Sequence, residues 1–407
     1  MRIAVHDYAG HLFQFGLSDA LARRGHEVAH FYFAGDVGPK GSGDVGAGGQ
    51  PPTLSVHPIS IDLPYTKANF FQRQAGDVRY GRAASAAITA FRPDVVISGN
   101  TPLDAQDQIR RAAERADAAF VFWMQDCISA AIERLLSDRW LGAGKAVGAY
   151  YRRKERRILQ ASDATVLISE DFRSLIERFD VPAESLFVIE NWGALDSLPL
   201  VPKSNDWART HGLSDRFVFM YSGTLALKHN PERLWALAES FKHDPEVAVV
   251  LAASGVSLDA LRARNATGDL PNLILLPLQS AADFPAALGT ADVLVALLED
   301  DAGEFSVPSK VLSYLCAGRP VLLSAPAANL SSRMVLRAGA GLVAAANDQE
   351  SFLAEAHRLR GDAALRTRLG EAGRRYAEDT FDIASVADRF EAAFDVAVRR
   401  RRQRIGG

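Results

Sequence analysis

Short apolar runs alternate with amphipathic stretches of helical period along the whole chain. In the first half, runs at Ile3–His6, Glu27–Phe33, Leu54–Ile59, Val95–Ser98, Phe120–Met124, Thr165–Ile168 and Phe187–Ile189 read as strands. Gly35 to Pro52 is rich in Gly, Pro and Asp and reads as a surface loop. Gly193 to Asp215 is mixed and polar, carries Pro199 and Pro202, and reads as a linker. A second series then starts over, with strands expected at Phe217–Tyr221, Val247–Ala252, Leu273–Leu276, Val293–Leu298, Val321–Leu323 and Gly341–Val343. Helices fill the gaps, among them Pro231–Lys242 and Ala281–Gly289, and from Asp362 the pattern is helical almost without a break. Strand–helix alternation predicts parallel βαβ units. The expected architecture is therefore α/β, with two successive Rossmann-like, doubly wound parallel-sheet domains facing a cleft. Their expected bounds are 1–192 and 216–380, joined by a linker over 193–215, with a long C-terminal helix over 381–407 crossing back to the first domain.

Bulk numbers narrow the function. A chain of 407 residues exceeds one ordinary core, in keeping with two domains. A net charge of -3 disfavours a general nucleic-acid binder. Cys127 and Cys316 are far apart and offer neither metal-ligand spacing nor a disulfide framework, which fits a reducing cytoplasm. The first residues enter a strand at once, so no signal peptide is expected. No apolar stretch reaches the ~18–20 residues that span a bilayer, so a soluble or surface-bound protein is expected.

Candidate chemistry collects at strand ends. Asp7-Tyr8-Ala9-Gly10-His11 follows the first strand, and Gly10 lets the backbone approach a ligand ahead of a helix. A tight turn that needs Gly10, with His11 incidental, is an equal reading. The segment lacks Gly-x-Gly-x-x-Gly, which disfavours a dehydrogenase-type dinucleotide site. In the second half, Tyr221-Ser222-Gly223-Thr224 leads to Lys228 just ahead of a helix near Pro231, a combination suited to an anionic diphosphate.

Glu304-Phe305-Ser306-Val307-Pro308-Ser309-Lys310 enters a short helix that stops at Gly318. It would turn N–H groups, a hydroxyl and Lys310 toward the carboxyl edge of the sheet. Glu304 could accept from sugar hydroxyls. Glu299, Asp300 and Asp301 precede it, but contiguous loop acids without a His are an ordinary solvated run, and no metal is expected. Asp126, after Phe122-Trp123-Met124-Gln125, and Asn100 sit at first-domain strand ends, where each could equally cap the next helix. Pro277 and Leu278, after the strand at 273–276, complete the candidate substrate contacts.

Between Trp140 and Arg157, Lys145, Arg152, Arg153, Lys154, Arg156 and Arg157 interleave with Tyr150 and Tyr151, opposed by Glu155. The pattern suits an anionic membrane surface at residues 140–157, or a solvated helix face. Arg399 to Arg402 read as a solvated basic tail.

With these residues in hand, the chain resembles glycosyltransferase family 4. The resemblance is carried by Tyr221-Ser222-Gly223-Thr224…Lys228, by Ile189-Glu190-Asn191-Trp192 and by Val307-Pro308-Ser309-Lys310…Ala317-Gly318-Arg319-Pro320. Gly10-His11…Phe13-Gln14 and Leu17 to His26 are similar to the bacterial branch that builds O-antigen, colanic acid and exopolysaccharides. The resemblance implies a GT-B fold and sugar transfer from a nucleotide-diphosphate donor with retention of configuration. It also implies no cofactor or metal, the nucleotide sugar being a co-substrate. A hexosyl- or N-acetylhexosaminyltransferase is expected, with a glycan or polyprenyl-linked acceptor, at the cytoplasmic face of the inner membrane.

Carried over by position, Gly10 would sit by the donor phosphate, Asp126 near the donor sugar, and Lys228, Ser309 and Lys310 at the diphosphate. Two departures stand out. The family's second glutamate, which grips the ribose, is Ser313 here, and the first falls on Phe305, one beyond Glu304. An arginine common after the diphosphate-loop glycine is Thr224, and Lys310 is expected to replace its charge. Three alternatives stay open: a nucleotide-sugar epimerase of the same fold, a non-catalytic partner protein, and a transferase acting on a soluble natural product.

Overall fold

The computed structural model describes residues 1–35, 49–62, 70–136, 143–225, 229–299 and 309–406. It divides into two compact units, one of Met1–Glu190 with Asp382–Gly407 and the other of Asn191–Phe381.

In the first unit, seven parallel strands are β1 (Arg2–Asp7), β2 (Glu27–Phe33), β3 (Leu54–Ile59), β4 (Val95–Gly99), β5 (Ala119–Met124), β6 (Ala164–Leu167) and β7 (Leu186–Val188). Their order is β3-β2-β1-β4-β5-β6-β7. Central strands β4 and β5 are buried throughout, and β1 is buried from Ile3 on, because both faces are covered, which is why they read as apolar runs. The helices are α1 (Leu12–Arg23), α2 (Phe70–Phe91), α3 (Leu103–Arg115), α4 (Ile128–Leu136), α5 (Ala143–Ala161) and α6 (Asp171–Glu177).

The chain winds outward from β1 to β3, returns through α2 and winds the other way from β4. Right-handed crossovers then put α1 on one face and α2, α3 and α5 on the other. A helix from the far end of the chain, Ile383–Gly406, packs against β5, β6 and α1. There Phe390 meets Trp123 edge to face at 4.8 Å.

In the second unit, the strands are β8 (Phe217–Thr224), β9 (Val247–Ser254), β10 (Leu273–Leu276), β11 (Val293–Leu297), β12 (Val321–Ser324) and β13 (Gly341–Ala344), ordered β10-β9-β8-β11-β12-β13. Its helices are α7 (Asp206–Thr210), α8 (Pro231–Ser240), α9 (Val256–Arg264), α10 (Phe284–Thr290), α11 (Lys310–Cys316), α12 (Leu330–Ala338), α13 (Gln349–Gly361) and α14 (Ala363–Thr380). The far-end helix is then α15. Strand starts and ends expected from the apolar runs fall within a residue or two, except that β8 extends three residues further, to Thr224.

Two local expectations need correction. The helical run from Asp362 is broken at Phe381-Asp382, where the Asp382 carboxylate accepts the Ser385 N–H at 2.9 Å and starts α15 as a new helix. The basic end is no solvated tail. Arg400 pairs with Glu184 (2.9 Å), Arg401 reaches the Glu114 carbonyl and Asp117, and Arg404 pairs with Asp163 (3.1 Å) and bonds the Ala161 carbonyl (2.8 Å).

Residues 193–215, which read as a linker, lie within the second unit. Leu198, Trp207 and Leu213 are buried, and the carbonyls of Leu198 and Val201 accept from Arg374 and Arg319. The Gly35–Pro52 loop falls largely outside the described residues.

Candidate active site

Open α/β sheets bind ligands beyond the carboxyl ends of the strands where the winding reverses, because the two neighbouring loops diverge there. In the first unit that point lies between β1 and β4, and in the second between β8 and β11.

At the first switch, β1 ends in Asp7 and the chain turns through Gly10, whose φ of 73° suits glycine. The Asp7 side chain is fully buried. It accepts from the Ala9 N–H (3.2 Å), the His11 N–H, and the Asn100 amide (3.3 Å), and His11 Nδ1 lies 3.2 Å from Oδ2. Burial works to raise the Asp7 carboxyl. The His11 ring charge and the hydrogen bonds from its ring and backbone outweigh that, so the group is held well below the usual carboxylate range. Asn100 takes a left-handed φ of 52°, which Asn tolerates, and so brings its amide onto Asp7.

A second layer lies beneath. Ser98 Oγ donates to Gln106 (2.7 Å), so it accepts from His6 Nδ1 (2.8 Å), and His6 Nε2 accepts from the Tyr80 hydroxyl (2.7 Å). Burial pushes His6 down to about 3 and His30 to about 4, so both stay neutral at ordinary pH. Asp77, facing the Tyr8 hydroxyl at 3.4 Å, is raised by burial to about 6, against the pull of Arg73.

Asp126 follows β5 and is half-buried. Beside it, Glu155 of α5 reaches into the core and accepts the Ile128 and Ser129 N–H groups at the start of α4 (3.2 and 3.3 Å), together with the Ser129 hydroxyl. Burial raises Glu155, and those donors partly restrain it. Glu155 had read as a surface counter-charge to the basic stretch; it is a buried cap. Within that stretch Arg152 pairs with Glu133 (2.6 Å), Lys154 with Asp104, and Arg156 with Asp180 (2.5 Å). Lys145, Tyr150, Arg153 and Arg157 are exposed, Tyr151 is buried, and Trp140 lies outside the described residues.

The second switch is built differently. β11 stays in register with β8 only at Val293–Phe219 and Leu294–Met220, after which the strands part. The Tyr314 hydroxyl fills the gap, accepting the Ser222 N–H (3.0 Å) within 3.2–3.3 Å of the Ser222 and Val295 carbonyls. Beyond it Gly223 adopts φ 125°, open to glycine, and the Lys310 stem lies where a Cβ at Gly223 would stand 3.5 Å from Lys310 Cε. The Lys310 ammonium sits 5.0 Å from the Tyr221 ring centroid.

The start of the next loop is pinned as the Leu225 N–H bonds the Ser254 carbonyl (2.8 Å). Gly255 (φ 119°) is required there, since a Cβ would come within 2.7 Å of the Leu225 carbonyl oxygen.

The structure thus brings Gly10, His11 and Asn100 together at the first switch, and Gly223 and Lys310 together at the second. Thr224 is exposed at the end of β8. Ser309 is exposed at the start of α11, and Ser313 is half-buried one turn into that helix. Pro277 and Leu278 lie at the carboxyl end of β10, two strands from β8, with the Pro277 carbonyl accepting from Gln279 (2.7 Å). Lys228, Glu304 and Pro308 lie outside the described residues. Among the described residues no group of three His, Cys, Asp or Glu could hold a metal ion, and no helix is long and apolar enough to cross a membrane.

Sequence reasoning gave no such role to Asp7, Glu155, Gly255 or Tyr314. Asp7 had a usable signal, a carboxylate in the same short turn as the singled-out His11.

Residues 15–192 match the family model described as a glycosyl transferase 4-like domain. Among solved structures, the chain is similar to sucrose-phosphate synthase from Thermosynechococcus elongatus, at 15% identity over 97% of this chain and 98% of that one, with a TM-score of 0.73. It is similar to HepE of Anabaena in complex with UDP-glucose, at 12% identity over 97% and 99%, with a TM-score of 0.69. It is also similar to WaaG, a glycosyltransferase involved in lipopolysaccharide biosynthesis, at 18% identity over 97% and 99%, with a TM-score of 0.67. No curated protein sequence matches. These neighbours show the fold to be GT-B, and the domain match over residues 15–192 supports a glycosyltransferase.

Proposed function

We propose that the protein transfers a sugar from a nucleotide-diphosphate donor, bound by the second unit, to a polysaccharide or lipid-linked oligosaccharide acceptor bound by the first. The observation that carries this reading is the pairing of a glycine-only backbone at Gly223 with the Lys310 side chain at the β8/β11 switch. A glycine there lets a diphosphate approach the backbone, and a lysine offsets its charge. HepE holds UDP-glucose on this fold, which makes uridine sugars the first donors to try.

Retention of configuration rests on the family resemblance. On that path the acceptor hydroxyl attacks from the face of the departing phosphate, and Lys310 with Lys228 offsets the charge that grows as the glycosidic bond breaks. A membrane-associated acceptor would be met through the exposed Lys145, Tyr150, Arg153 and Arg157. Loss of vesicle co-sedimentation in an Arg153→Ala/Arg157→Ala variant is the expected mark of that contact.

Thermal-shift titration with UDP-, GDP- and dTDP-sugars tests the core of the proposal. One donor class should stabilise the protein, and Lys310→Ala should weaken that donor about tenfold or more. No response to any donor would sink the proposal and favour a non-catalytic partner. Conversion of donor without acceptor would favour an epimerase.

A further inference from the structure

At the amino ends of the second unit's strands, a cavity of about 490 Å³ is lined by residues of that unit. Asp292, just before β11, and Pro320, just before β12, form one side of it. The facing wall is α14, which presents Arg366, Thr367 and Gly370 at helical spacing. Gly223 and Lys310 stand at the opposite, carboxyl edge of the same sheet. The two places are separated by the length of β11, roughly 17 Å for five residues.

The lining carries four arginines against three carboxylates among the described residues. Each carboxylate already has a cation. Asp292 pairs with Lys203 and also accepts the Val218 N–H (2.8 Å). Glu378 pairs with Arg374 (2.7 Å), and Glu371 stands 3.8 Å from Arg375. Arg319 and Arg366 are both half-buried, and neither pairs with a carboxylate among the described residues.

Backbone carbonyls hold these two side chains in place. Arg319 Nη2 donates to Val201 (3.1 Å) and Gly289 (2.5 Å), and Arg366 Nη1 to Leu359 (2.6 Å) and Arg360 (3.1 Å). A carbonyl satisfies an N–H but carries no net charge, so two guanidinium charges stand uncancelled at one cavity. Arg319 Nε is buried with no acceptor, and burial pulls the guanidinium below its ordinary value, against the effect of Asp292. Arginines withdrawn from water are ordinarily paired. The missing partner is an anion.

We propose that this cavity binds a small phosphate monoester bearing hydroxyl groups, with the Arg319 and Arg366 guanidinium groups as donors to the phosphate. A monoester dianion matches two uncancelled charges, and the planar fork of arginine suits phosphate oxygens. The cavity has the volume of a small-molecule site and is larger than a bare phosphate needs, which leaves room for an organic group. Glu371 and Glu378 can accept from its hydroxyls, and the exposed Leu200 and Ala363 supply apolar contact. The site is separate from the diphosphate site proposed above, so its occupation does not depend on sugar transfer.

Isothermal titration of the full chain with ribose 5-phosphate tests this, with ribose and inorganic phosphate as separate arms. Ribose 5-phosphate should bind at one site per chain, inorganic phosphate more weakly, and ribose not at all. Thr367→Glu sets a carboxylate on the exposed wall of the cavity and should weaken ribose 5-phosphate about tenfold or more. Arg319→Gln should do the same. Arg319 also holds two carbonyls, so if that variant fails to fold, Thr367→Glu decides. Lys310→Ala, at the other edge, should leave the affinity within about twofold. No binding of ribose 5-phosphate, an unchanged affinity in Thr367→Glu, or a loss in Lys310→Ala instead would overturn the site. Inorganic phosphate binding as tightly as ribose 5-phosphate would overturn the monoester assignment.

Discussion

The two sheets share one winding pattern, yet they furnish their switch points with different materials. The first places ionisable groups there and buries them: Asp7 under His11 and Asn100, His6 between Ser98 and Tyr80, His30 against Ser18 (2.8 Å) and stacked on Phe15 (3.8 Å). The second uses a phenol, a glycine and a lysine at Tyr314, Gly223 and Lys310. Its groups with shifted titration, Tyr221, Tyr314, Cys316 and Arg319, keep one protonation state at ordinary pH. Identical topology therefore leaves open which physical variable a unit answers to. Protons act on the first edge, and the proposed function assigns anions to the second.

Acidification should separate the units most. His30 is lowered in the folded state, so its stabilising share is full above about pH 6.5 and is lost as pH falls toward 4. Asp77 has the opposite sign. Its raised folded value gives stability that is full below about pH 4 and lost as pH rises through 6. Between pH 7 and 4, His30→Phe should make the acid loss of the first unit shallower by on the order of 3 kcal/mol. Asp77→Asn should steepen it by roughly 2–3 kcal/mol over the same interval. Hydrogen exchange of β1–β4 peptides, with β8–β12 peptides as the internal reference, reads both. Equal acid sensitivity in the two sets would break the comparison.

A next test lies in the second unit. Tyr314→Phe leaves the Ser222 N–H buried without its acceptor and should cost about 1–3 kcal/mol, confined to β8, β11 and α11 and independent of pH from 5 to 8. A pH-dependent loss would refute the contrast. The smallest effect belongs to the surface. Arg400→Ala, which removes a pair with the exposed Glu184, should cost little, and less at high salt, as seen in exchange at α15.

Much of the architecture was legible because buried parallel strands write themselves as apolar runs. Glu27–Phe33, Leu54–Ile59 and Leu273–Leu276 were bounded without error. Placement at the switch points was legible where one residue's chemistry suffices, as with Gly10 in the turn after β1, Gly223 near the end of β8 and Lys310 at the start of α11. It was not legible where meaning depends on burial. Glu155 amid arginines reads as a surface charge, and only the fold turns it inward to cap α4. Arg400 and Arg401 look solvated until Glu184, Glu114 and Asp117, more than 200 positions earlier, come beside them. The last helix was expected to start at 381, and what the helical pattern hid is the cause of the break, the Asp382 carboxylate that caps α15.

The docking of α15 onto the first sheet also sets an order of events in synthesis. Residues 1–190 are complete about 190 positions before Asp382 is added. At the ~5–20 residues per second of translation, that interval is roughly 10–40 s. Throughout it, the Trp123 face of β5 waits for Phe390, while the whole of the second unit is made and can collapse on itself. The half of the molecule that begins first is the half that finishes last, and during that interval its uncovered apolar face is the natural target for a chaperone.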